Sequence, residues 1–141
     1  MNIGKILISA VLIGIAMSII SFGIVGPIAK AINPGYDIMN IAGMRAIGDP
    51  VMLLFFLQPF VLGLAFSIIF SFHANAMPNL EFYKKGIKFG LAGWMLYTLP
   101  SVFLVYSSMD YGETFLFSAL FGQMLEFCAA GIIAAWVFGR K

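Results

Sequence analysis

Apolar residues are concentrated in four stretches of the chain, separated by short polar connections. The stretches cover residues 6–28, 51–72, 87–107 and 115–138. Each has roughly the 20 residues that a helix needs to cross the hydrocarbon core of a bilayer. The longest connection, residues 29–50, is too short to hold a hydrophobic core of its own. The pattern therefore predicts an all-α polytopic membrane protein with one domain, residues 1–141, built as an antiparallel bundle of four transmembrane helices.

The composition favours the same placement. Hydrophobic residues make up 62% of the chain, charged residues make up 10%, and the mean hydropathy is +1.01. A soluble domain has about 25% charged residues, so this chain lacks the polar surface that a soluble fold requires. We expect its principal partner to be the lipid bilayer. The net charge of +2 reflects orientation in the membrane, and no nucleic-acid-binding motif is present.

The distribution of basic residues favours one orientation. Six of them flank the termini and the second connection, beside a single acidic residue, Glu81; the six are Lys5, Lys84, Lys85, Lys88, Arg140 and Lys141. Because cytoplasmic segments carry an excess of Lys and Arg, we expect both termini on the cytoplasmic side. The segment 85–90 resembles small bacterial and archaeal membrane proteins, which implies a prokaryotic cell membrane.

Small residues recur at every fourth position within the spans, which places them along one face of each helix. The longest row is in the fourth span and contains Glu126. The residues that we expect at close helix contacts are Ser118, Gly122, Ala130, Ala134, Gly63 and Gly90. Small side chains let helix backbones approach closely inside lipid. We therefore expect these rows to face the bundle interior, or another copy of the chain in a homo-oligomer, or other membrane subunits.

The first outer connection contains a turn signal, Asn33-Pro34-Gly35. After this turn, Ile38, Ile41 and Met44 recur at helical spacing, whereas Asp37, Asn40 and Arg45 lie away from them. This arrangement is typical of an amphipathic helix in the membrane interface. We therefore expect a short interfacial helix in this connection.

Glu126 lies near the middle of the fourth span, and no lysine or arginine lies at the same depth. A carboxylate at the bilayer centre costs at least about 2.5–3.5 kcal/mol, so such residues are usually functional and paired. Without a basic partner the side chain is expected to be neutral at rest and to bond with uncharged groups. The candidates at this depth are Gln58, Gln123, Tyr97, Thr98 and Ser67.

Two functions remain open for this group of residues. In the first, Glu126 and Gln58 line a polar site at mid-membrane that binds or translocates a proton, a cation or a small polar solute. In the second, the protein is a non-catalytic structural or accessory subunit, and Glu126 only forms a hydrogen bond between helices. A cavity that reaches Glu126 would favour the first function, and a dry contact would favour the second.

Enzyme chemistry finds little support in the sequence. His73 is the single histidine and Cys128 the single cysteine, so one chain can form neither a disulfide nor a His/Cys metal site. We identify no catalytic residues and expect no cofactor and no metal. We interpret His73 as a polar residue of the membrane interface and Cys128 as a small buried hydrophobe.

Overall fold

The computed structural model describes residues 2–41, 44–74 and 80–139. Four helices in these segments are long and apolar enough to span a membrane: Ile3–Ile32, Pro50–His73, Phe82–Ser108 and Glu113–Gly139. The prediction of an all-α protein with four membrane-length helices is confirmed. Each helix extends beyond the apolar stretch that predicted it, because charged residues such as Lys30 and Lys84 continue the helix.

The first span changes its helix type near the middle. Helix α1, Ile3–Ser18, is followed by a π-helix, Ile19–Val25, and then by α2, Gly26–Ile32. Pro27 has no amide hydrogen with which to bond to the preceding turn. Gly23 and Gly26 are weak helix formers in the same stretch. These residues favour the wider turns that precede Pro27.

The remaining three spans are continuous helices, and two of them contain a proline. Helix α3 is Leu53–His73 and follows a 3-10 turn at Pro50–Met52; α4 is Phe82–Ser108 and α5 is Glu113–Gly139. Pro59 lies inside α3 and Pro100 lies inside α4.

The connection between the first and second spans contains a 3-10 turn at Ile38–Asn40. Residues 44–49 form turns and extended chain. The expected interfacial helix also covers Ala42 and Gly43, which lie outside the described residues. That helix therefore stays a prediction.

Helices α4 and α5 pack with their backbones in contact. A Cβ atom on Gly86 of α4 would lie 2.6 Å from the carbonyl carbon of Gly131 on α5. A Cβ atom on Gly90 would overlap the carbonyl oxygen of Phe127 in the same way. Because only a hydrogen atom fits at these positions, the glycines set the distance between the two helices.

Helices α1 and α3 form a second close pair. A Cβ atom on Gly63 of α3 would lie 2.7 Å from the carbonyl oxygen of Ala10 on α1. One turn further along α3, the hydroxyl group of Ser67 donates a hydrogen bond of 2.9 Å to the hydroxyl group of Ser9, and both side chains are fully buried. This bond satisfies two polar groups that would otherwise be orphaned in an apolar contact.

The hydrophobic core lies between the two pairs of helices. Its buried side chains are Ile13, Met17, Phe66, Phe70, Phe127, Ala130, Ala134 and Ala135. Phe66 and Phe70 of α3 each meet Phe89 of α4 with ring centroids 4.9 Å apart. These contacts involve the first halves of the first span and of α4 and the second halves of α3 and α5. A cavity lies among the opposite halves of the spans.

Candidate functional site

A cavity of about 640 Å³ lies among the first span, α3, α4 and α5. Most of its wall is apolar, and aromatic rings are contributed by Phe22, Phe55 and Phe115. The polar residues at its inner end are Ser21, Gln58, Tyr97, Gln123 and Glu126. Small-molecule sites are typically clefts of roughly 300–1,000 Å³ with apolar walls and a few convergent polar groups. The cavity has both the size and the lining of such a site.

Glu126 stands at the inner end of the cavity, and it is the central residue of α5. Its side chain is half-buried. The hydroxyl group of Ser21, on the π-helix of the first span, interacts with its carboxyl group. One turn earlier on α5, a Cβ atom on Gly122 would lie 3.0 Å from the methyl carbons of Val25. The small residue at position 122 therefore lets the π-helix approach α5, and the π-helix supplies the hydroxyl group that meets the acid.

Gln123 lies one turn before Glu126 and on the same face of α5. Its side-chain oxygen accepts a hydrogen bond of 2.8 Å from Oγ1 of Thr98 on α4, and Thr98 is fully buried. This bond to the oxygen leaves the two N–H donors of the Gln123 amide for other partners. Gln123 also lines the cavity.

Gln58 of α3 and Tyr97 of α4 line the cavity from two different helices. Both residues are exposed, Tyr97 by 44% of its surface. In the described residues, the ring contacts between α3 and α4 are those of Phe89 with Phe66, Phe70 and His73. Phe66 follows Gln58 by eight residues (66 − 58), and Phe89 precedes Tyr97 by eight (97 − 89), which is about 12 Å along each helix. Direct ring contacts between α3 and α4 therefore do not reach Gln58 and Tyr97, and the Tyr97 ring packs instead against Phe127 of α5, with centroids 5.8 Å apart.

The connection after the first span borders the other end of the cavity. Lys30, Tyr36 and Asp37 line the cavity there, together with Ser118 of α5. Asp37 accepts a hydrogen bond of 3.0 Å from the backbone amide of Met39, which orders the turn. Burial raises the pKa of the Tyr36 phenol; the Ser118 hydroxyl group opposes this shift, and the nearby Asp37 adds to it. Tyr36 is therefore a neutral hydrogen-bonding group at physiological pH.

The structure brings four of the six candidate site residues to this cavity, namely Glu126, Gln58, Gln123 and Tyr97. Thr98 stands behind Gln123 as its hydrogen-bond donor. Ser67 lies away from the cavity, in the contact between α1 and α3. The expected partners of Glu126 were Gln58 and Gln123, whereas the group that interacts with its carboxyl group is the Ser21 hydroxyl.

The six residues expected at close helix contacts are either buried or part of the cavity wall. Five of them are buried: Gly63, Gly90, Gly122, Ala130 and Ala134. Ser118 is half-buried and lines the cavity near Tyr36. The row on α5 therefore faces the core at its C-terminal end and the cavity at its N-terminal end.

Sequence reasoning missed the contributions of Ser21, of Lys30 in α2, and of Tyr36 and Asp37 in the connection that follows. The signal near Ser21 was the cluster of weak helix formers that follows it and ends at Pro27. Such a cluster marks a disturbed helix without indicating which side chain changes direction. Tyr36 and Asp37 reach the cavity through the path of the connection, which periodicity does not describe.

Within the described residues, no group of three or more His, Cys, Asp or Glu side chains converges to hold a metal ion. Cys128 is a half-buried free thiol on α5. Nδ1 of His73 lies 2.9 Å from the carbonyl oxygen of Ile69, one turn earlier on α3. Neither residue lines the cavity.

No known protein family, curated protein or solved structure matches this chain. Helical bundles host many unrelated functions, so the fold alone does not identify one. Any indication of function therefore comes from the cavity and the residues that line it.

Proposed function

We propose that this chain is a small integral membrane protein that binds a proton, a cation or a small polar solute around Glu126 and Gln58, as a step in its translocation. The observation that carries the proposal is the cavity itself. One space of about 640 Å³ is lined by Glu126, Gln58, Gln123 and Tyr97. Ionisable groups inside membrane helices commonly belong to substrate, ion or proton pathways.

The chemistry of the lining residues suits binding followed by release. A neutral carboxyl group offers one donor, whereas the ionised form attracts a cation and only accepts hydrogen bonds. Exchange of a proton for a cation at Glu126 would therefore couple ligand binding to protonation. The amide of Gln123 and the hydroxyl group of Ser21 offer neutral polar contacts in both states. Among the described residues that line the cavity, the charged groups besides Glu126 are Lys30 and Asp37, at the other end.

A structural or accessory subunit is the second candidate, and the surface of α4 favours it. Leu96 is 81% exposed and Phe103 is 75% exposed. Such a face accepts lipid, a second copy in a homo-oligomer or another membrane subunit. In that role, Glu126 would serve only as a hydrogen-bonding group between helices. The cavity supports the first function instead, since a structural hydrogen bond needs no open space around it.

We also propose an antiparallel bundle with both termini on the cytoplasmic side of a prokaryotic cell membrane. Two contacts between α4 and α5 support this arrangement: Gly86 lies against Gly131, and Thr98 bonds to Gln123. The residue number rises along α4 as it falls along α5. The excess of basic residues around the termini and the second connection then indicates the cytoplasmic side.

Cysteine labelling tests this orientation in a Cys128→Ala background. An impermeant thiol reagent added to intact cells should modify Asp110→Cys and leave Lys84→Cys unmodified until the cells are opened. The reverse pattern would overturn the proposed orientation.

Purified protein in sealed vesicles tests the function through Glu126→Gln, which keeps the shape of the side chain but cannot ionise. An imposed gradient of Na⁺, K⁺ or a small amine should change the internal pH in wild-type vesicles, and the Gln variant should fold normally without this response. Glu113→Gln, at the start of α5 and outside the cavity, is the matched control and should respond like wild type.

The structural role predicts a different pattern. Neither the wild type nor Glu126→Gln would then differ from empty vesicles. Glu126→Leu alone would lose stability, by about 1 kcal/mol or more, because the Ser21 hydroxyl would lose its partner.

A further inference from the structure

Resting on the proposed function, we infer that the ligand class is amphipathic organic cations: an ammonium group pairs with Glu126, an apolar body lies against the aromatic wall, and access is from the bilayer between α3 and α4. This assignment goes beyond a general polar site because it fixes the charge of the ligand, the nature of its body and its route.

The size and the wall of the cavity favour an organic ligand over a bare ion. A metal cation is held by several oxygen atoms at short distances. Here the two carboxyl groups that line the space of about 640 Å³, Glu126 and Asp37, stand at opposite ends of it, and its wall is mostly apolar. A ligand that fills this space must present apolar surface to Met17, Val25 and Leu62, since burying polar groups against them without partners is costly.

The distribution of charge favours a positive group at the inner end. Glu126 lies there beside Ser21, whereas the far end is lined by one charge of each sign, Lys30 and Asp37. Nine residues separate Ser21 from Lys30 (30 − 21), which corresponds to roughly 13 Å along a helical segment. Lys30 therefore leaves the acid free to pair with a ligand ammonium group.

Aromatic rings line the space around this position. Phe22 of the π-helix and Phe55 of α3 lie with ring centroids 6.2 Å apart, and both line the cavity. Tyr97 adds a third ring from α4. The faces of such rings attract ammonium groups, and their bodies accept hydrocarbon. The wall therefore suits both parts of an amphipathic cation.

The separation of α3 and α4 gives the ligand its route. Gln58 and Tyr97 line the cavity, and both are exposed. The contacts between aromatic rings of these helices, around Phe89, lie about two turns away. The Phe66 ring also lies against Gly93, one turn before Tyr97, and this contact borders the route on one side. An amphiphile dissolved in the bilayer can therefore bring its charged group to Glu126 and leave the end of a long tail in lipid.

Equilibrium dialysis with the full-length protein in lipid nanodiscs tests the inference, with empty nanodiscs as the baseline for partition into lipid. The probes are tetramethylammonium, hexyltrimethylammonium, decyltrimethylammonium and hexanesulfonate. Saturable binding of hexyltrimethylammonium should be at least about ten-fold tighter than that of tetramethylammonium, since each buried methylene group adds affinity. Decyltrimethylammonium should bind no more weakly than the hexyl probe, because a lateral opening imposes no limit on tail length. Hexanesulfonate should show no saturable binding.

Variants identify the binding group. Glu126→Gln should weaken the binding of hexyltrimethylammonium by about ten-fold or more, because it removes a paired charge. Glu126→Asp should retain binding, and Glu113→Gln should bind like wild type. Circular dichroism and size-exclusion profiles of each variant establish that it is folded before its binding is compared.

Four outcomes would overturn the inference: equal affinity for tetramethylammonium, saturable binding of hexanesulfonate, loss of binding between the hexyl and decyl probes, or alkylammonium binding that is unchanged in Glu126→Gln. If any of these accompanies a Glu126-dependent pH response in vesicles, the proposed function stands and the ligand class is wrong. If the vesicle response is also absent, both fail.

Discussion

The hydroxyl group of Thr98 on α4 donates a 2.8 Å hydrogen bond to the side-chain oxygen of Gln123 on α5. This bond joins a fully buried residue to one that lines the cavity. It therefore connects the packing of two helices with the orientation of a polar group at the candidate site. Thr98 acts as a positioning residue, because its own side chain does not line the cavity.

Replacing Thr98 by valine removes the hydroxyl group and keeps the shape of the side chain. We expect Thr98→Val to lower the free energy of unfolding by about 0.5–1.5 kcal/mol, the usual net value of one hydrogen bond. Denaturant titration in detergent measures this change. Ser107→Ala is the control, since the Ser107 hydroxyl group bonds within its own helix and is exposed. Equal stability of Thr98→Val and Ser107→Ala would show that the bond does not join the helices.

The contact between Gly86 and Gly131 predicts a strong effect from a single methyl group. In Gly131→Ala, the new Cβ atom would overlap the carbonyl oxygen of Gly86, so α4 and α5 would have to separate. Overpacking of this kind typically costs about 1–3 kcal/mol. Thermal unfolding in detergent measures the loss. Gly139→Ala is the matched control on the same helix, because a Cβ atom there has nothing within 4 Å; unfolding temperatures that agree in the two variants would contradict the close approach.

The buried bond between Ser9 and Ser67 predicts a non-additive pair of substitutions. Ser9→Ala or Ser67→Ala alone leaves one hydroxyl group without its partner, whereas the double variant removes both. Hydrogen bonds between membrane helices average about 0.6 kcal/mol in double-mutant cycles and reach about 1.7. We expect a coupling in this range and no effect of either change on ligand binding. Fully additive losses would mean that the two hydroxyl groups do not bond in the membrane.

The transmembrane helices were predictable, because a chain must supply about 20 apolar residues for each crossing and satisfy its backbone within the helix. Gly63 and Gly90 were found through the four-residue spacing of small residues, whereas Gly131, which meets Gly86, lies one position off the row on α5 and was not expected. The location of Ser67 away from the cavity could also have been predicted, from helical spacing. Nine residues separate it from Gln58 (67 − 58), about two and a half turns, so the two side chains point to opposite sides of α3.

The π-helix and the separation of α3 and α4 were not predictable by the same means. Periodicity assumes one uniform helix, and Ile19–Val25 departs from it. That departure brings Ser21 to Glu126, a pairing that spacing on an α-helix does not predict. The distance between α3 and α4 depends on how both pack against other helices, which a single helix pattern does not contain.

The connection before the second span predicts a defined response to pH. The backbone amide of Val51 and the guanidinium group of Arg45 both bond to Asp49 at 2.8 Å and hold its pKa below the usual value of 3.8. A carboxyl group with a lowered folded-state pKa stabilises the fold above its unfolded pKa, and this contribution is lost as the pH falls through the lowered value. Local protection of the Val51 amide against hydrogen exchange should therefore decrease below about pH 3.8.

Arg45→Ala separates the two causes of this shift. The pKa of Asp49, followed by NMR of its carboxyl carbon, should rise in the variant and stay below 3.8, because the Val51 amide has the larger effect. An unchanged pKa would show that Arg45 does not contact Asp49 in solution. A full return to 3.8 would show that the amide does not cap the turn.

The central claim is that a solvent-accessible cavity reaches into the membrane beside Glu126, and two neighbouring residues of α3 test it most directly. Gln58 lines the cavity, whereas Leu57 is an exposed apolar residue at the same depth and is not part of its lining. In a Cys128→Ala background, a charged, water-soluble methanethiosulfonate reagent should modify Gln58→Cys rapidly and leave Leu57→Cys unmodified, because thiols that face lipid are not ionised. Equal protection of both cysteines, with both becoming reactive after denaturation, would contradict the account.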